Sequence, residues 1–408
     1  MSNSGDAKTV SVVRCDDYDR EKIYATVKHA IDLVGGMGTF VSPGQKVFVK
    51  FNLLLGSAPE KCVTTHPEVV YAVAKLLKEH GCDVLLGDSP GSGLLYNAAT
   101  LRKAYAASGY DVVAEELGIP LNYDVGYKDV PAPGSRTIKR FPIINPILDC
   151  DAVVVVSKAK THALTYFSGA AKNMFGAIPG LDKPTYHARL PDPMAFGRMI
   201  IDLNDVVTPR LQIMDAVMGM EGDGPHTGTP RKIGAILASG DCNAIDVATC
   251  RLMSIDPLRV STIIAAIERG YLREDLGDVS LVGDNYDALI VEDFKPPSTY
   301  LGQPRTRTRS GEFSKIIMLA NEYTLRPVIH EDKCTGCMKC VRSCPMKTIS
   351  IVDEKPRIDY AKCIKCYCCH EMCDSSAISL ERNEEAGKAL EQLADRHSPE
   401  PGKPSSPN

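Results

Sequence analysis

The spacing Cys334-x2-Cys337-x2-Cys340-x3-Cys344 recurs as Cys363-x2-Cys366-x2-Cys369-x3-Cys373, and no other feature restricts the folding of this chain as tightly. Three thiols at intervals of three residues oblige the backbone to wrap a tight loop around one small object, and a fourth completes the set. Thiolates favour soft metals, and this is the ligand spacing of [4Fe-4S] clusters. Zinc sites usually pair two C-x2-4-C knuckles across a longer gap, so eight cysteines in this order fit zinc poorly. Nine of the fifteen cysteines lie between Cys334 and Cys373. Such clustering argues for metal or redox work rather than disulfides. The other six, Cys15, Cys62, Cys82, Cys150, Cys242 and Cys250, are scattered and read as buried free thiols.

The residues around the two runs fit a small α+β unit. Thr348 to Val352 and Arg357 to Asp359 flank a turn at Asp353-Glu-Lys-Pro356, and Arg326 to His330 and Ala377 to Leu380 supply outer strands. The stretch from Arg326 to Leu380 resembles a bacterial two-cluster ferredoxin, in which the fourth cysteine of each run ligates the other cluster. The resemblance implies two [4Fe-4S] clusters, one on Cys334, Cys337, Cys340 and Cys373, the other on Cys363, Cys366, Cys369 and Cys344. Two departures stand out. Asp374 occupies the place that Pro345 has in the first run, and Cys368 is an extra thiol beside a ligand, as a further ligand, a redox thiol or a bystander.

A chain of 408 residues has room for two or three domains. We expect an α/β large domain at 1–295, a linker or wrapping segment at 296–325 that includes Arg305, Arg307 and Arg309, a ferredoxin-type domain at 326–382, and a charged, Pro/Ser-rich, disordered tail at 383–408. A net charge of −4 gives no basic face for nucleic acid. The start from Met1 to Val13 lacks the basic and apolar blocks of a secretory signal, and apolar runs such as Val153 to Val156 are too short to span a bilayer, so a cytoplasmic protein is expected.

From Lys46 to Gly283, short apolar runs alternate with helical periods, as in a parallel or mixed sheet covered by helices, in one body or two lobes. Strands are expected at Lys46 to Phe51, Cys82 to Gly87, Asp151 to Ser157, Leu211 to Asp215 and Ile233 to Ser239. Helices are expected at Pro67 to His80, capped by Thr65 or His66, and near Pro193 to Val206 and Asn243 to Met253.

The densest chemistry begins where the third strand should stop: Ser157-Lys-Ala-Lys-Thr-His162, Phe167-Ser-Gly-Ala-Ala-Lys172-Asn173, and Lys183 with Tyr186-His187. Ligands of open α/β sheets bind at the carboxyl ends of strands. Lys158, Lys160 and Lys172 would neutralise an anion there, with Asp88 and Asn173 as further ligand contacts. His162, His187 and His226 would move protons near neutral pH. Met220-Glu-Gly-Asp-Gly-Pro-His226 offers Glu221 and Asp223 for proton transfer or a hard cation. No G-x4-G-K-[ST] run occurs, and no G-x-G-x-x-G follows a strand and opens a helix, so neither a P-loop nor a standard dinucleotide site is supported.

Taken together, Lys50-Phe-Asn52, Thr64-Thr-His-Pro67, Gly87-Asp-Ser-Pro-Gly91, Lys158-Ala-Lys-Thr-His162, Lys172-Asn-Met-Phe-Gly176 and Asp241-Cys-Asn-Ala-Ile-Asp246 resemble the DUF362 family. That resemblance implies an iron–sulfur protein without an assigned reaction. More remotely, His162, Phe167-Ser-Gly169, Lys172 and Pro179-Gly180 are similar to the N-terminal part of nickel-dependent lactate racemase. The racemase's Asp-x-Thr-Arg-Pro run is missing, so nickel is not carried over.

The expectation is an iron–sulfur oxidoreductase whose ferredoxin module exchanges electrons with a small anionic or cofactor-like molecule in the α/β cleft. A non-catalytic electron carrier or maturation factor that docks a redox partner protein is the alternative. A redox sensor working through cluster loss or Cys368 is a third. Oligomeric state is not legible.

Overall fold

The computed structural model describes residues 8–301, except 92, 93 and 181, together with residues 325–388. The expectations for Arg305, Arg307, Arg309 and the tail beyond residue 388 lie outside them. In chain order the strands are β1 (Lys8–Arg14), β2 (Lys46–Phe51), β3 (Asp83–Gly87), β4 (Tyr127–Pro131), β5 (Arg140–Ile144), β6 (Ala152–His162), β7 (Tyr166–Ser168), β8 (Leu211–Glu221), β9 (Thr229–Ser239), β10 (Val279–Gly283), β11 (Arg326–Ile329), β12 (Ile349–Val352), β13 (Lys355–Ile358) and β14 (Ile378–Glu381).

Eight of these strands make one sheet in the order β10-β1-β9-β8-β6-β2-β3, with β7 paired to the end of β6. The block β8-β6-β2-β3 is parallel, whereas β9 is antiparallel to both of its neighbours. The sheet is therefore mixed and continuous, and one body replaces the two-lobe alternative. Alternation along the strands divides the core between the two faces. Val153, Val155, Met214, Ala235 and Leu237 point to one side; Val154, Val156, Ile213, Ile236 and Ala238 point to the other. Every residue of β6 is buried, as expected of a central parallel strand covered on both faces.

Helices cover both faces. The helix Pro67–Glu79 has Pro67 in its first turn, accepts a capping bond from Glu68 N to His66 Nδ1, and buries Val69, Val70, Val73 and Leu77. Burial of each such side chain contributes roughly 1.5–3 kcal/mol, so a charged residue at Val73 would unseat the helix. The helix Pro193–Val207 packs Phe196, Ile200 and Leu203 on the opposite face. The chain leaves β2 for β3 on one side and returns to place β6 on the other. This reversal opens a crevice at the carboxyl ends of the parallel strands.

The C-terminal unit pairs β11 with β14 and β12 with β13, both antiparallel. Its hairpin turn is shorter than the four residues expected: Asp353 and Glu354 alone reverse the chain, with φ of 48° and 61°, so that Lys355 already pairs with Val352. Positive φ at both central residues is the turn geometry that matches strand twist. Tyr367 and Leu380 of this unit pack into the apolar core of the α/β domain, and the Tyr367 hydroxyl donates to Leu325 O at 3.0 Å.

Candidate functional site

The last residues of β6 bend into an antiparallel pairing with β7, His162 opposite Tyr166 and Lys160 opposite Ser168. His162 caps its own turn. Its Nδ1 accepts from the amides of Leu164 at 3.0 Å and Thr165 at 3.4 Å, which leaves the ring proton on Nε2. Burial, with Lys172 and His187 near by, holds this imidazole well below its ordinary value, so it is neutral. Its Nε2 lies 3.2 Å from Oε1 of Glu371, and neither atom completes an aligned hydrogen bond.

After β7 the chain turns at Gly169 into the short helix Ala170–Asn173, whose first amides are held by the Asp246 carboxylate, from Ala170 N at 2.6 Å and Ala171 N at 3.1 Å. Burial pushes Asp246 up to about 7 even though those amides oppose the shift. The anchored turn aims Lys172 into the crevice. Its ammonium is 5.9 Å from the Phe175 ring and 5.8 Å from that of Phe196, and it has no hydrogen bond or ion pair among the described residues. Burial lowers its pKa, opposed by Glu371.

Around Lys172 a cavity of about 60 Å³ is lined by Asn52, Asp88, Lys160, His162, Asn173, Lys183, His187 and Glu371, among others. That is several times the ~10–15 Å³ that admits one water. Lys160 donates to Asn52 Oδ1 at 2.6 Å and Val63 O at 2.7 Å, and Lys183 donates to Ser89 O, Ser89 Oγ and Pro90 O. Neither has a carboxylate partner among the described residues, and burial brings each down to about 7. His187 stacks on Phe196 with ring centroids 4.7 Å apart. Its Nδ1 is buried without a partner, and burial lowers its pKa to about 3.

Behind this wall stands a fully bonded polar scaffold. Lys50 Nζ lies 2.8 Å from Asp88 Oδ1 and donates to Asn173 Oδ1 at 2.8 Å, while Asn173 Nδ2 donates to Ser157 Oγ at 3.0 Å. Asp88 also accepts from Leu53 N and Ser89 N, each at 2.9 Å. Gly176 closes against this group, because a Cβ there would collide with Asp88 Oδ1 and Lys50 Nζ.

Six of the eight residues expected in the α/β site thus meet in the crevice: Lys160, His162, Lys172, His187, Asp88 and Asn173. Lys158 does not. A register shift in the β6–β8 pairing separates it from Lys160, and its ammonium is consumed by Asp215 Oδ2 at 2.9 Å and the Tyr18 hydroxyl at 2.8 Å. His226 does not line the cavity either, although its neighbour Pro225 does. His226 sits under the electrostatic influence of Asp374 and His370 of the C-terminal unit, and burial brings it to about 4. Glu221 takes Lys295 N at 3.1 Å, and Asp223 takes Ser298 N and Oγ, both at 2.7 Å.

The same loop bolts the two units together. His370 contacts Ile378 O at 2.7 Å through Nδ1, while its Nε2 faces the Thr227 hydroxyl at 2.7 Å and Asp223 O at 3.2 Å. Glu371, the next residue, reaches the crevice. Reasoning from sequence missed Glu371, since nothing in Cys368-Cys-His-Glu371 distinguishes a cleft residue from a loop between ligands. It also left Lys50 and Lys183 without roles, although both stood in stretches already singled out.

The cysteines surround two further cavities. One is lined by Cys334, Cys337, Cys340 and Cys373, the other by Cys344, Cys363, Cys366 and Cys369. Each takes three thiols from one run and the fourth from the other. Among the described residues no three His, Cys, Asp or Glu side chains converge on a point as a single ion requires. The four thiols around each cavity are the donor set that an iron–sulfur cluster takes. Cys368 lines neither cavity; it is fully buried and shares a hydrogen bond with Cys366. Among the described residues, no helix is long and apolar enough to cross a membrane.

Two stretches of the chain match known families. Residues 326–374 match a 4Fe-4S dicluster domain, and residues 47–251 match the domain of unknown function DUF362. A thylakoid-associated protein of Synechocystis is 32 % identical over 303 residues, spanning 73 % of this chain and 92 % of its own length. Pyruvate synthase subunit PorD of Methanothermobacter marburgensis is 37 % identical over 59 residues, covering 14 % of this chain and 69 % of that subunit. Among solved structures, the lactate racemase apoprotein of Thermoanaerobacterium thermosaccharolyticum aligns with a TM-score of 0.40 at 13 % identity, over 62 % of this chain and 58 % of that one. The chain belongs to the DUF362 family and carries a 4Fe-4S dicluster domain toward its C-terminal end.

Proposed function

We propose that this iron–sulfur electron-transfer protein is an oxidoreductase in which the C-terminal unit exchanges electrons with a small anionic molecule bound in the crevice. Two [4Fe-4S] clusters fit the two rings of four thiols, and when bound they would supply one-electron transfer. The observation that carries the reading is the helix Cys368–Glu371: Cys369 lines a cysteine-ringed cavity, and Glu371, two residues on, lines the crevice.

The roles of this chain's own residues follow from their environments. Lys172, Lys183 and Lys160 lack carboxylate partners among the described residues, so an anionic group would satisfy them and restore charge balance in a buried place. The orphaned Nδ1 of His187 offers the anion one more polar contact. His162, held as the neutral Nε2–H tautomer by two amides, would donate a hydrogen bond to the bound anion. Asp246, Asn173, Asp88 and Lys50 fix the positions of these groups.

The test is anaerobic purification with iron and sulfide analysis, then oxidation of the dithionite-reduced protein by a panel of small anions, carboxylates and phosphate esters, each carrying a reducible carbonyl or alkene. Return of the visible absorbance bleached by reduction, abolished by Lys172→Met with iron content unchanged, is expected. Colourless, zinc-containing protein would remove the redox reading altogether. Loaded protein whose reoxidation ignores Lys172 would remove the crevice from it.

A further inference from the structure

The two cysteine-ringed cavities are not equivalent in access. The one holding Cys366 and Cys369 abuts the α/β domain, with both thiols buried and the intervening Cys368 fully so. The other faces outward: Cys337 is an exposed cysteine, Thr335 beside it is exposed, and a Cβ added at Gly336 would meet no atom within 4 Å.

Charge around that outward loop is uneven. Of the acidic groups near by, Glu331 is paired with Arg357 and Asp374 with Lys339, leaving Asp332. Lys333 is exposed and has no ion pair among the described residues. Arg342 is exposed too; its Nη2 donates to Cys337 O at 3.1 Å, which leaves its charge uncompensated. Two free cations thus flank the exposed thiol within a chain whose net charge is −4.

We infer that the loop Cys334–Cys340, with Lys333 and Arg342, is the docking surface for an acidic one-electron carrier protein. The inference rests on the reading of the cysteine rings as cluster sites and adds the face and the partner. Opposite charge at the rim speeds and orients encounter while leaving the complex short-lived, which is what repeated one-electron exchange needs. The outward face keeps the carrier clear of the crevice, so substrate and carrier are accommodated together.

The experiment uses anaerobically purified full-length protein and gallium-substituted plant-type ferredoxin, an acidic and redox-inert probe, titrated calorimetrically at low and moderate salt. Expected are one-to-one binding that weakens as salt rises, and a Kd about tenfold weaker, with a flatter salt dependence, in Lys333→Glu/Arg342→Glu. Because Arg342 bonds the cysteine loop, Lys333→Glu/Thr335→Glu is measured alongside, and each variant is first shown to retain wild-type iron and sulfide. A Kd within twofold of wild type in the loaded variants, or amide-exchange protection on a surface other than this loop, would overturn the proposal. Wild-type protein without iron would instead condemn the cluster reading on which it rests.

Discussion

Asp88→Asn gives a sharp test of the scaffold behind the crevice. Asp88 Oδ1 faces Lys50 Nζ at 2.8 Å and Ser89 N at 2.9 Å, and Oδ2 faces Leu53 N at 2.9 Å. An amide of the same shape offers one acceptor and one donor, so in either orientation its NH2 confronts at least one of these donors. Lys50 is fully buried, and burial already lowers its pKa against the pull of Asp88. Without Asp88 it would be held neutral at pH 7. Removing the proton from a lysine whose ordinary value is 10.5 costs at most ~5 kcal/mol, at ~1.36 kcal/mol per pH unit. Breaking a buried pair by removing one partner typically costs ~3–5 kcal/mol, in agreement. For an α/β unit of this size, with ~2 cal/mol/K of unfolding entropy per residue, this lowers Tm by ~5–8 °C. The sign of the pH effect is fixed as well. A Lys50 that is neutral when folded and charged when unfolded means that the unfolded chain binds more protons, so the variant's deficit should shrink as pH rises from 7 to 9. Thermal melts followed by circular dichroism, under anaerobic conditions, measure both effects. The double variant Lys50→Met/Asp88→Asn should recover more than half of the loss, since no buried charge remains. A Tm shift under 2 °C, or a double variant no better than the single, would refute the reasoning.

Three further outcomes are expected. Lys172→Met should weaken heat stabilisation by inorganic phosphate or acetate by about ten- to a hundredfold in apparent Kd, the ~1.5–3 kcal/mol of a hydrogen bond to a charged group; equal stabilisation of both proteins would exclude Lys172 as an anion contact. His187, neutral in the fold with a value near 3 against an ordinary 6.5, takes up a proton only on unfolding, so its share of the stability is present above pH 6.5 and is lost on acidification. Wild-type protein should therefore lose ~1.4 kcal/mol per pH unit below 6.5 that His187→Phe does not, and parallel stability curves between pH 7.5 and 5.5 would count against its buried neutral state. Thr227→Val deletes the hydroxyl facing His370 Nε2 and should speed amide exchange across 368–378 without loss of iron; unchanged exchange would mean that Tyr367 and Leu380 hold the unit without that bolt.

Much of this was legible from residues alone. The two cysteine runs carried the C-terminal unit because ligand spacing is a local property: three thiols on one tight loop have few other uses. The crossed sharing of Cys344 and Cys373 came with the resemblance to two-cluster ferredoxins, and the fold brings the same four thiols to each cavity. Strands β2, β3, β6, β8 and β9 were visible as apolar runs, though β6, β8 and β9 run several residues beyond the expected ends. The added residues of β6 and β8 are paired and buried because neighbouring strands cover them, whereas the added start of β9, Thr229–Lys232, is paired but mostly exposed.

Pairing of charges was beyond the sequence. Lys158 and Lys160 stand two residues apart on one strand and look alike, but only the partner elements decide that Lys158 meets Asp215 while Lys160 is left without a carboxylate in the cleft. His226 and Asp223 had the composition of a catalytic loop, but the Asp223 carboxylate is taken by Ser298 while its backbone carbonyl meets His370, and His226 stays outside the cavity lining. Glu371 enters the crevice because His370 is bolted to Thr227 and Asp223, residues about 145 positions earlier in the chain. Ligand spacing and strand periodicity act over a few bonds and are written in order along the polypeptide. The environment of a buried ion is set by whatever the fold brings within a few ångströms, and here that is decided by contacts between distant segments.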